Sequence, residues 1–443
     1  MSKYFLSIFL IIVFRTTLFS QGKDSVEYSG NYIIKVDSIV IIGNKITDND
    51  VINREMNFAA GDTITPKIVS FNKERIFSLG IFTKVSLIPV RKDSLNILYI
   101  LVNESWYIYP IPFAELVDRD WEKISYGMYL YIRNFRGEDE TLFASAAFGY
   151  NPLINISYDR PYLFRAQNIY FNAQFSFQNA MNKSEYAKQL YGKDFNQRFI
   201  SGQISFAKRI NLYNKISINL GFDYIDNPIY IKGISASNQR IDHQLSLGAG
   251  YELDTRDLAQ FPSTGIYALT NFYLKGLGFD GIDYQIVNID FRNYETIFQQ
   301  LILKWRFASR LTFGNLVPYH DYSFFGYGQR IRGYFNQEQE GNDSYLASFE
   351  MNYPIMKDVN MSLNFVPIVP KSLLSFRFGI YCEIFTDAGA IRMEGQSLSI
   401  SNFNPGYGGG LTFLFLPYNI LRLEYAFNPY HHSEMIVDIG ISF

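Results

Sequence analysis

The stretch Ile216-Ser217-Ile218-Asn219-Leu220-Gly221-Phe222-Asp223-Tyr224 decides the fold class. Large apolar residues stand at every second position, and small or polar residues stand between them. Because successive side chains of a β-strand point to opposite faces, this period predicts a strand with one apolar and one polar face. The polar face carries Ser, Asn, Gly and an isolated charge instead of many Lys and Glu residues, a composition typical of a barrel lumen.

The same alternation recurs at Phe171–Phe177 and Leu421–Phe427. At roughly 21 residues per strand and connection, residues 106–443 hold about 16 strands, and bacterial barrels have an even number. Phe, Tyr and Trp make up 17% of the chain, which fits aromatic girdles at both membrane interfaces. A large soluble β-sandwich is the alternative. We predict a mainly β chain with an antiparallel transmembrane β-barrel of about 16 strands at residues 106–443.

The first residues have the pattern of a secretory signal peptide. Lys3 is followed by the apolar run Tyr4–Phe14 and then by the small or polar residues Ser20 and Gln21. Beyond this segment, no run approaches the ~18 apolar residues that a transmembrane helix needs. We therefore predict an exported chain with a signal peptide at residues 1–20.

Residues 33–105 differ from the rest and predict one small α+β domain. A β-rich run at Val36–Ile42 is followed by Thr47 and Asp48, which can cap a short helix. Thr65 and Pro66 open a second helix, since proline is tolerated in a first helical turn. Two further β-rich runs complete the order strand, helix, helix, strand, strand (βααββ).

Charge and reactive residues do not indicate an enzyme. A formal net charge of -2 argues against a nucleic-acid-binding protein, which would show a basic face. The only cysteine, Cys382, has no partner for an intramolecular disulfide. His431 and His432 would point to opposite faces of a strand, so they would not form a joint metal site. There is no G-x-S-x-G nucleophile motif, and we predict no catalytic residues, metal or cofactor.

Several short motifs occur in a fixed order along the chain. Within residues 33–105 they are Gly43-Asn44, Arg54-Glu55, Gly61 and Leu79-Gly80-Ile81-Phe82. They are followed by Asp254-Thr255-Arg256-Asp257 with Phe261-Pro262 and Gly265, by Arg332-Gly333-Tyr334, and by Phe385-Thr386-Asp387-Ala388-Gly389. The ordered set resembles the BamA/TamA superfamily of outer-membrane assembly and translocation proteins. Residues 33–105 resemble one POTRA domain, the periplasmic module of that family.

The resemblance implies that Arg332, Gly333 and Tyr334 form the tip of a sixth loop that folds back into the barrel lumen. The strand motif around Asp387 would hold this tip. Gly333 would permit a tight turn, and Tyr334 would pack against the lumen wall. In the alternative, Arg332 lies in a flexible outer loop and touches nothing.

The residues of the strand motif favour a partner that faces the lumen. Glu383, Phe385, Asp387 and Gly389 share one face, and the more apolar opposite face belongs to lipid. A buried Arg332 needs a carboxylate, because an unpaired desolvated guanidinium costs several kcal/mol. We expect Asp387 as its first partner and Glu383 as its second. A charge swap with Asp387 should then partly restore the stability lost in Arg332→Ala.

The motif of Asp254, Arg256, Asp257, Pro262 and Gly265 precedes a predicted strand. Two aspartates beside an arginine are compatible with acid–base chemistry. In a turn, however, aspartates commonly bind the local backbone or a neighbouring side chain. We expect a structural ion pair or a turn cap here.

The end of the chain has the pattern of a last barrel strand. Val437, Ile439, Ile441 and Phe443 alternate with small or polar residues, and the final residue is aromatic. Assembly machinery can read such a strand by adding it to the edge of a sheet. We therefore expect these four residues to form an assembly signal.

The resemblance implies a factor that inserts or exports β-rich proteins at the outer membrane, with its N-terminal domain in the periplasm. Outer-membrane lipids, unfolded β-rich clients and periplasmic or lipoprotein accessory factors are the expected partners, and nucleic acid is not. A single POTRA-like module favours an auxiliary factor over the central machine. The alternatives are a passive or structural barrel or channel and an enzyme with a lumen pocket, because fold does not imply function.

Overall fold

The computed structural model describes residues 25–116, 123–314, 316–326, 329–334, 337–363 and 369–443. The signal peptide predicted at residues 1–20 lies outside these ranges. The described residues form a small N-terminal domain and a sixteen-stranded antiparallel sheet. No helix in the described ranges is long and apolar enough to cross a membrane.

The N-terminal domain is built on a four-stranded sheet in the order β1-β5-β6-β3. β3 runs parallel to β6, and the other neighbouring strands are antiparallel. The predicted βααββ order is present, with three short strands added to it. Its elements are β1 Ser25–Glu27, β2 Ile34–Lys35, β3 Ser38–Ile42, α1 Asn49–Asn53, β4 Thr63–Ile64, α2 Pro66–Ser78, β5 Phe82–Lys92 and β6 Leu95–Glu104.

Both helices of this domain begin at the predicted caps. The Asp48 carboxylate accepts a hydrogen bond from the N–H of Asp50, and the Thr65 hydroxyl accepts one from the N–H of Ile68. These side chains satisfy N–H groups that have no partner within the helix. Pro66 occupies the first position of α2, where a missing N–H is tolerated.

The sixteen-stranded sheet is a meander in which each strand pairs with its neighbours in sequence. Its strands are β7 Ile108–Leu116, β8 Ile124–Phe135, β9 Glu140–Gly149, β10 Leu153–Phe164, β11 Ile169–Met181, β12 Asn196–Arg209, β13 Asn214–Asp226, β14 Ile241–Asp254, β15 Gly265–Lys275, β16 Tyr284–Ile297, β17 Leu301–Gly314, β20 Asp343–Ser362, β21 Ser375–Arg392, β22 Asn404–Leu416, β23 Asn419–Phe427 and β24 Ser433–Ile439. The predicted fold class and the count of 16 are confirmed.

The connections contain the remaining elements. These are α3 Glu185–Tyr191, the ribbon of β18 Ser323–Phe325 with β19 Gln339–Gly341, and the 3-10 turns Arg165–Gln167, Phe279–Gly281, Tyr319–Asp321 and Ile400–Asn402. The long connection 315–342 between β17 and β20 is the sixth loop at the end of the sheet away from the N-terminal domain. We call the other end, next to the N-terminal domain, the proximal end.

The faces of the sheet follow the sequence alternation. Ile216, Ile218, Leu220 and Phe222 of β13 are exposed on the outer face, as predicted. The sheet curves back on itself at the proximal end, where the ring of Tyr109 in β7 lies 6.4 Å from that of Tyr418 in the turn between β22 and β23. The polar positions therefore face inward, toward the space that the curved sheet surrounds.

The last strand is shorter than the sequence predicts. β24 ends at Ile439, and Gly440 adopts a φ of 110°, a conformation that glycine accepts readily. Val437 and Ile439 are exposed on the outer face, as expected, whereas Phe443 is buried. Because the chain turns at Gly440, Ile441 and Phe443 do not continue the outer apolar row.

Candidate functional site

The sixth loop folds back and places Arg332 against the inner face of the sheet. The residue is only 7% exposed. Nε donates to Oδ2 of Asp387 at 2.8 Å, Nη2 donates to Oδ1 at 2.9 Å, and the backbone N–H also donates to Oδ2. This forked arrangement matches the planar guanidinium to both carboxylate oxygens. The structure therefore brings together Arg332 and the expected first partner.

Two carboxylates from other strands complete the environment of Arg332. Its Nη1 donates to Oε2 of Glu350 at 3.1 Å and to Oε1 of Glu424 at 2.9 Å. The guanidinium carbon also lies 3.6 Å from the ring centre of Phe385, a cation–π contact. We name Arg332 with Asp387, Glu350 and Glu424 the lumen lock. It joins the loop to β20, β21 and β23.

The prediction that Glu383 is the second partner of Arg332 is wrong. Glu383 accepts hydrogen bonds from the Thr412 hydroxyl at 2.7 Å and from the Asn352 amide at 3.2 Å. Glu383 lies four residues before Asp387 along β21, and the guanidinium reaches sideways across the sheet instead of along that strand. Glu350 and Glu424 take the place assigned to Glu383.

Two further cations balance the lock carboxylates. Lys304 Nζ lies 2.9 Å from Glu350, and Arg422 Nη1 lies 2.9 Å from Glu424. These partners remain even when Arg332 is removed. Asp387 has no equivalent second cation among its described contacts, so it depends most on Arg332.

Gly333 and Tyr334 complete the loop tip. Gly333 adopts a φ of 98°, and a Cβ at this position would lie 2.6 Å from the backbone oxygen of Phe427. Its N–H donates to Glu434, and its carbonyl accepts from Asn428. Tyr334 is buried in a cluster with Ala308, Phe325, Ile331 and Leu346. The loop tip is therefore held by backbone hydrogen bonds, by the ion pairs of Arg332 and by apolar packing of Tyr334.

Glycines on the facing strands make room for the tip. A Cβ on Gly389 would lie 2.5 Å from Cδ1 of Ile331, and a Cβ on Gly406 would overlap the backbone oxygen of Arg332. The predicted role of Gly389 as a lock residue thus has a steric basis. Gly406 was missed by sequence reasoning.

We expect Gly406→Ala to displace the loop tip at a cost of about 1–3 kcal/mol, because the overlapping atom is backbone and cannot rotate away. Trypsin added to the outer surface should then cleave within residues 329–334. Gly202→Ala is the matched control, because a Cβ there meets no atom within 4 Å. Equal trypsin resistance of the two variants would contradict this view of the tip.

The motif that begins at Asp254 forms a turn at the proximal end. The Asp254 carboxylate receives two hydrogen bonds from the Arg256 guanidinium, at 2.9 and 2.7 Å. Asp257 accepts from the backbone N–H groups of Ser263 and Thr264. Pro262 is buried, and Gly265 adopts a φ of 112° where the strand begins. These contacts hold the backbone of the turn in place.

The same turn has a second role that the sequence did not indicate. The N–H of Ala259 donates to the Ser78 hydroxyl at 2.9 Å, and the Gln260 amide donates to the Ser78 carbonyl at 3.0 Å. Phe261 belongs to an apolar cluster shared with the core of the N-terminal domain. The turn therefore docks α2 against the proximal end of the sheet.

Ion pairs reinforce this docking. Glu55 accepts from Arg75 at 2.9 Å within the N-terminal domain and from Arg209 of β12 at 2.6 and 3.0 Å. On the other side, Glu74 of α2 accepts from Arg377 of β21 at 2.6 Å. The N-terminal domain is thus attached to the sheet at widely separated strands.

The turn 136–139 also contacts the N-terminal domain, since the carbonyl of Gly137 accepts from the N–H of Asp48, and it contains the partly buried acid Asp139. Burial raises the pKa of the Asp139 carboxyl to about 7; the neighbouring Arg133 opposes this shift and Glu55 adds to it. The protonated form of Asp139 is therefore favoured in the folded protein. The stabilisation that this carboxyl gives to docking is complete in acid and is lost as the pH rises through about 7.

We therefore expect docking to weaken as the pH rises from about 4 to about 8, since the undocked carboxyl ionises first. In Asp139→Asn this part of the pH dependence should disappear. Hydrogen exchange of α2 at several pH values measures the effect. An unchanged pH profile in the variant would show that another group is responsible.

Among the described residues, no group of three or more His, Cys, Asp or Glu side chains has a geometry that could hold a metal ion. His431 lies in the turn between β23 and β24. The contacts described for the lumen lock are ion pairs and hydrogen bonds between side chains and backbone groups. Such an arrangement can position a loop and resist its release.

The sequence matches two protein-family models. Residues 134–443 match the model described as "Omp85 superfamily domain", and residues 34–105 match the POTRA model described as "Surface antigen variable number repeat". None of the curated protein sequences matches the chain.

Three solved structures are similar to this chain, and the first of them has a related fold. BamA from Haemophilus ducreyi lacking POTRA domains 1-3 is 16% identical, with a TM-score of 0.52 over 92% of this chain and 83% of that chain. CdiB from Acinetobacter baumannii is 12% identical, with a TM-score of 0.46 over 92% of this chain and 73% of that chain. CdiB from Escherichia coli is 10% identical, with a TM-score of 0.46 over 96% and 91%.

Proposed function

This chain belongs to the Omp85 superfamily, and from that premise we propose that it assembles or exports a restricted set of β-rich client proteins. It is an outer-membrane protein whose POTRA domain, residues 34–105, lies in the periplasm. The proximal end of the barrel is therefore its periplasmic end. The folding of clients into the membrane would supply the free energy, without a nucleotide.

The observation that carries the proposal is the pair of sheet edges. In the described part of the chain, no ladder of hydrogen bonds joins β7 to β24, whereas every other strand of the barrel is paired on both sides. Unpaired N–H and C=O groups are costly in lipid, and a free edge is a template for another strand. A client strand that adds to β7 or β24 would satisfy these groups by β-augmentation.

A passive channel is the alternative, and two features of the structure argue against it. The sixth loop fills part of the lumen through the lumen lock. The POTRA domain covers the periplasmic end through contacts with β12, β21 and the turn 255–264. Conductance in planar bilayers tests this alternative. A large, steady open state would contradict an occluded barrel.

We further propose that the POTRA domain must undock for a client to enter. Ser78 and Ala259 are close enough for a disulfide test, because a side-chain oxygen of one contacts the backbone N–H of the other at 2.9 Å. In a Cys382→Ser background, Ser78→Cys with Ala259→Cys should stop client assembly when oxidised. Reduction should restore assembly, because it releases the clamp.

Each single-cysteine variant serves as a control for the clamp, since it cannot form the disulfide. Client assembly at the normal rate by the oxidised double variant would exclude a route that needs undocking. A route along the outer edge of β7 would then remain.

The client range is tested by depleting the protein and quantifying the outer-membrane proteome. We expect loss of one or a few β-rich proteins. Loss of many unrelated barrels would instead identify a general insertase. If no barrel or surface protein changes, the assembly function is wrong and a passive or structural role is favoured.

A further inference from the structure

A group of exposed apolar residues lies where the POTRA domain meets the first two barrel strands. Ile46, Trp106, Ile108 and Phe135 are exposed by 57%, 37%, 48% and 38%, respectively. Ile46, Trp106 and Ile108 line one groove of about 560 Å³. We name these four residues, with Lys45 and Arg136, the rim patch. Large exposed apolar surfaces commonly mark interaction sites.

The loop that carries Ile46 is held firmly in place. The backbone N–H groups of Ile46 and Thr47 both donate to Oε1 of Glu104, at 3.0 and 2.7 Å. The Thr47 hydroxyl accepts from Asn134 of β8 at 2.9 Å, and the N–H of Asp48 donates to the Gly137 carbonyl. The exposure of Ile46 is therefore built into the loop and is not a consequence of a loose segment.

The rim patch is continuous with the membrane-facing surface of the barrel. Ile108 pairs with Ile132, so it shares the outer face with Met128 and Tyr126, which are both exposed. Phe135 ends β8 at the periplasmic end of the same strand. Since the outer face of the barrel contacts lipid, the patch extends that surface beyond the strands and onto the POTRA domain.

The chemistry of the rim patch suits the boundary between lipid tails and headgroups. Tryptophan is enriched at this boundary, and the indole N–H of Trp106 is already satisfied by the carbonyl of Ile108. Lys45 is exposed beside Ile46. The guanidinium of Arg136 lies 5.4 Å from the ring centre of Phe135 and is paired with the Glu140 carboxylate, so Lys45 is the basic residue of the patch on which the headgroup contact depends. Basic residues beside apolar ones attract anionic phospholipid headgroups.

We propose that the rim patch binds phospholipids of the periplasmic leaflet and so anchors the POTRA domain beside β7. The apolar members would contact the acyl chains, and Lys45 would contact the headgroup phosphates. The anchor would keep the docked domain at the edge of the sheet that remains unpaired. This inference depends on the outer-membrane location and not on the proposed client function.

Spin labels on the full-length protein in vesicles of phosphatidylethanolamine and anionic phosphatidylglycerol test the proposal. In a Cys382→Ser background, a label at Ile46→Cys is compared with labels at two similarly exposed sites. Ile204→Cys, on the outer face of β12, reports lipid, and Leu95→Cys reports water. Leu95 begins β6, at the end of the POTRA sheet opposite the loop that follows Ile42.

The access of oxygen and of a water-soluble nickel chelate to each label distinguishes a lipid environment from water. We expect the label at Ile46→Cys to match that at Ile204→Cys, with high oxygen and low nickel access. Adding Lys45→Glu should shift it toward water, because this change repels headgroup phosphates. A label at Ile46→Cys that behaves like that at Leu95→Cys would overturn the proposal. Exclusion of both probes would also overturn it and would indicate a protein occupant.

Tryptophan fluorescence gives a second test that leaves the loop unchanged. With Trp121→Phe and Trp305→Phe, Trp106 is the only tryptophan, since the chain has three. Phospholipids brominated near the headgroup end of the acyl chain should quench its emission. Equal Trp106 emission in brominated and unbrominated vesicles would refute contact of this residue with lipid.

Discussion

Arg332→Ala is expected to destabilise the barrel by about 3–5 kcal/mol, because it leaves a buried carboxylate without its cation. Asp387 carries most of this effect, since Glu350 and Glu424 keep Lys304 and Arg422 as partners. The urea concentration at which heat-modifiable electrophoretic mobility is lost measures the change. Assembly yield should fall in parallel.

Further variants separate the effect of the positive charge of Arg332 from that of its forked hydrogen-bond geometry. Arg332→Lys keeps the charge but loses the forked contact to Asp387, so its effect should be intermediate. Removing the stranded acid with Arg332→Ala and Asp387→Asn together should recover part of the loss. Arg240→Ala is the control in another outer loop, where the arginine side chain of the ion pair with Asp226 is 46% exposed. Its expected cost is within about 1 kcal/mol.

The structure changes the expected result of the charge swap. From the sequence, exchanging Arg332 and Asp387 should partly restore stability. In the structure, an aspartate at position 332 would face Glu350 and Glu424, which both contact the arginine side chain. We therefore expect Arg332→Asp with Asp387→Arg to remain destabilised. Normal urea resistance of Arg332→Ala itself would refute the lumen lock altogether.

Glu55→Ala is expected to weaken POTRA docking by about 3–5 kcal/mol, because two arginines at the domain junction lose the same carboxylate. Arg75 is buried within the POTRA domain, and Arg209 belongs to β12 of the barrel. The disulfide between Ser78→Cys and Ala259→Cys provides the readout, since its rate of formation depends on the docked population. We expect this rate to fall in Glu55→Ala.

A second variant distinguishes undocking from unfolding of the POTRA domain. Arg209→Ala removes only the barrel side of the contact and leaves Glu55 paired with Arg75. It should slow the disulfide without changing hydrogen exchange in β5 and β6. Glu27→Ala, at an exposed position of β1, is the control. Unchanged disulfide formation in both Glu55→Ala and Arg209→Ala would mean that apolar contacts alone hold the domain.

The sequence was informative wherever structure depends on neighbouring residues. The period of two in Ile216–Tyr224 determined a strand and its faces, because alternation is a local property of the backbone. The caps at Asp48 and Thr65 were predictable for the same reason. Arg332 and Asp387 were linked through the resemblance together with the physical need of a buried guanidinium for a carboxylate.

Only the tertiary structure decided which distant groups meet. Glu424 lies 92 residues from Arg332, and Arg209 lies 154 residues from Glu55. Such contacts depend on strand register and on the depth to which a loop or domain enters the barrel, and neither is encoded by a short segment. Alternation placed Asp387 on the inner face, whereas the choice of Glu350 and Glu424 over Glu383 required the folded loop.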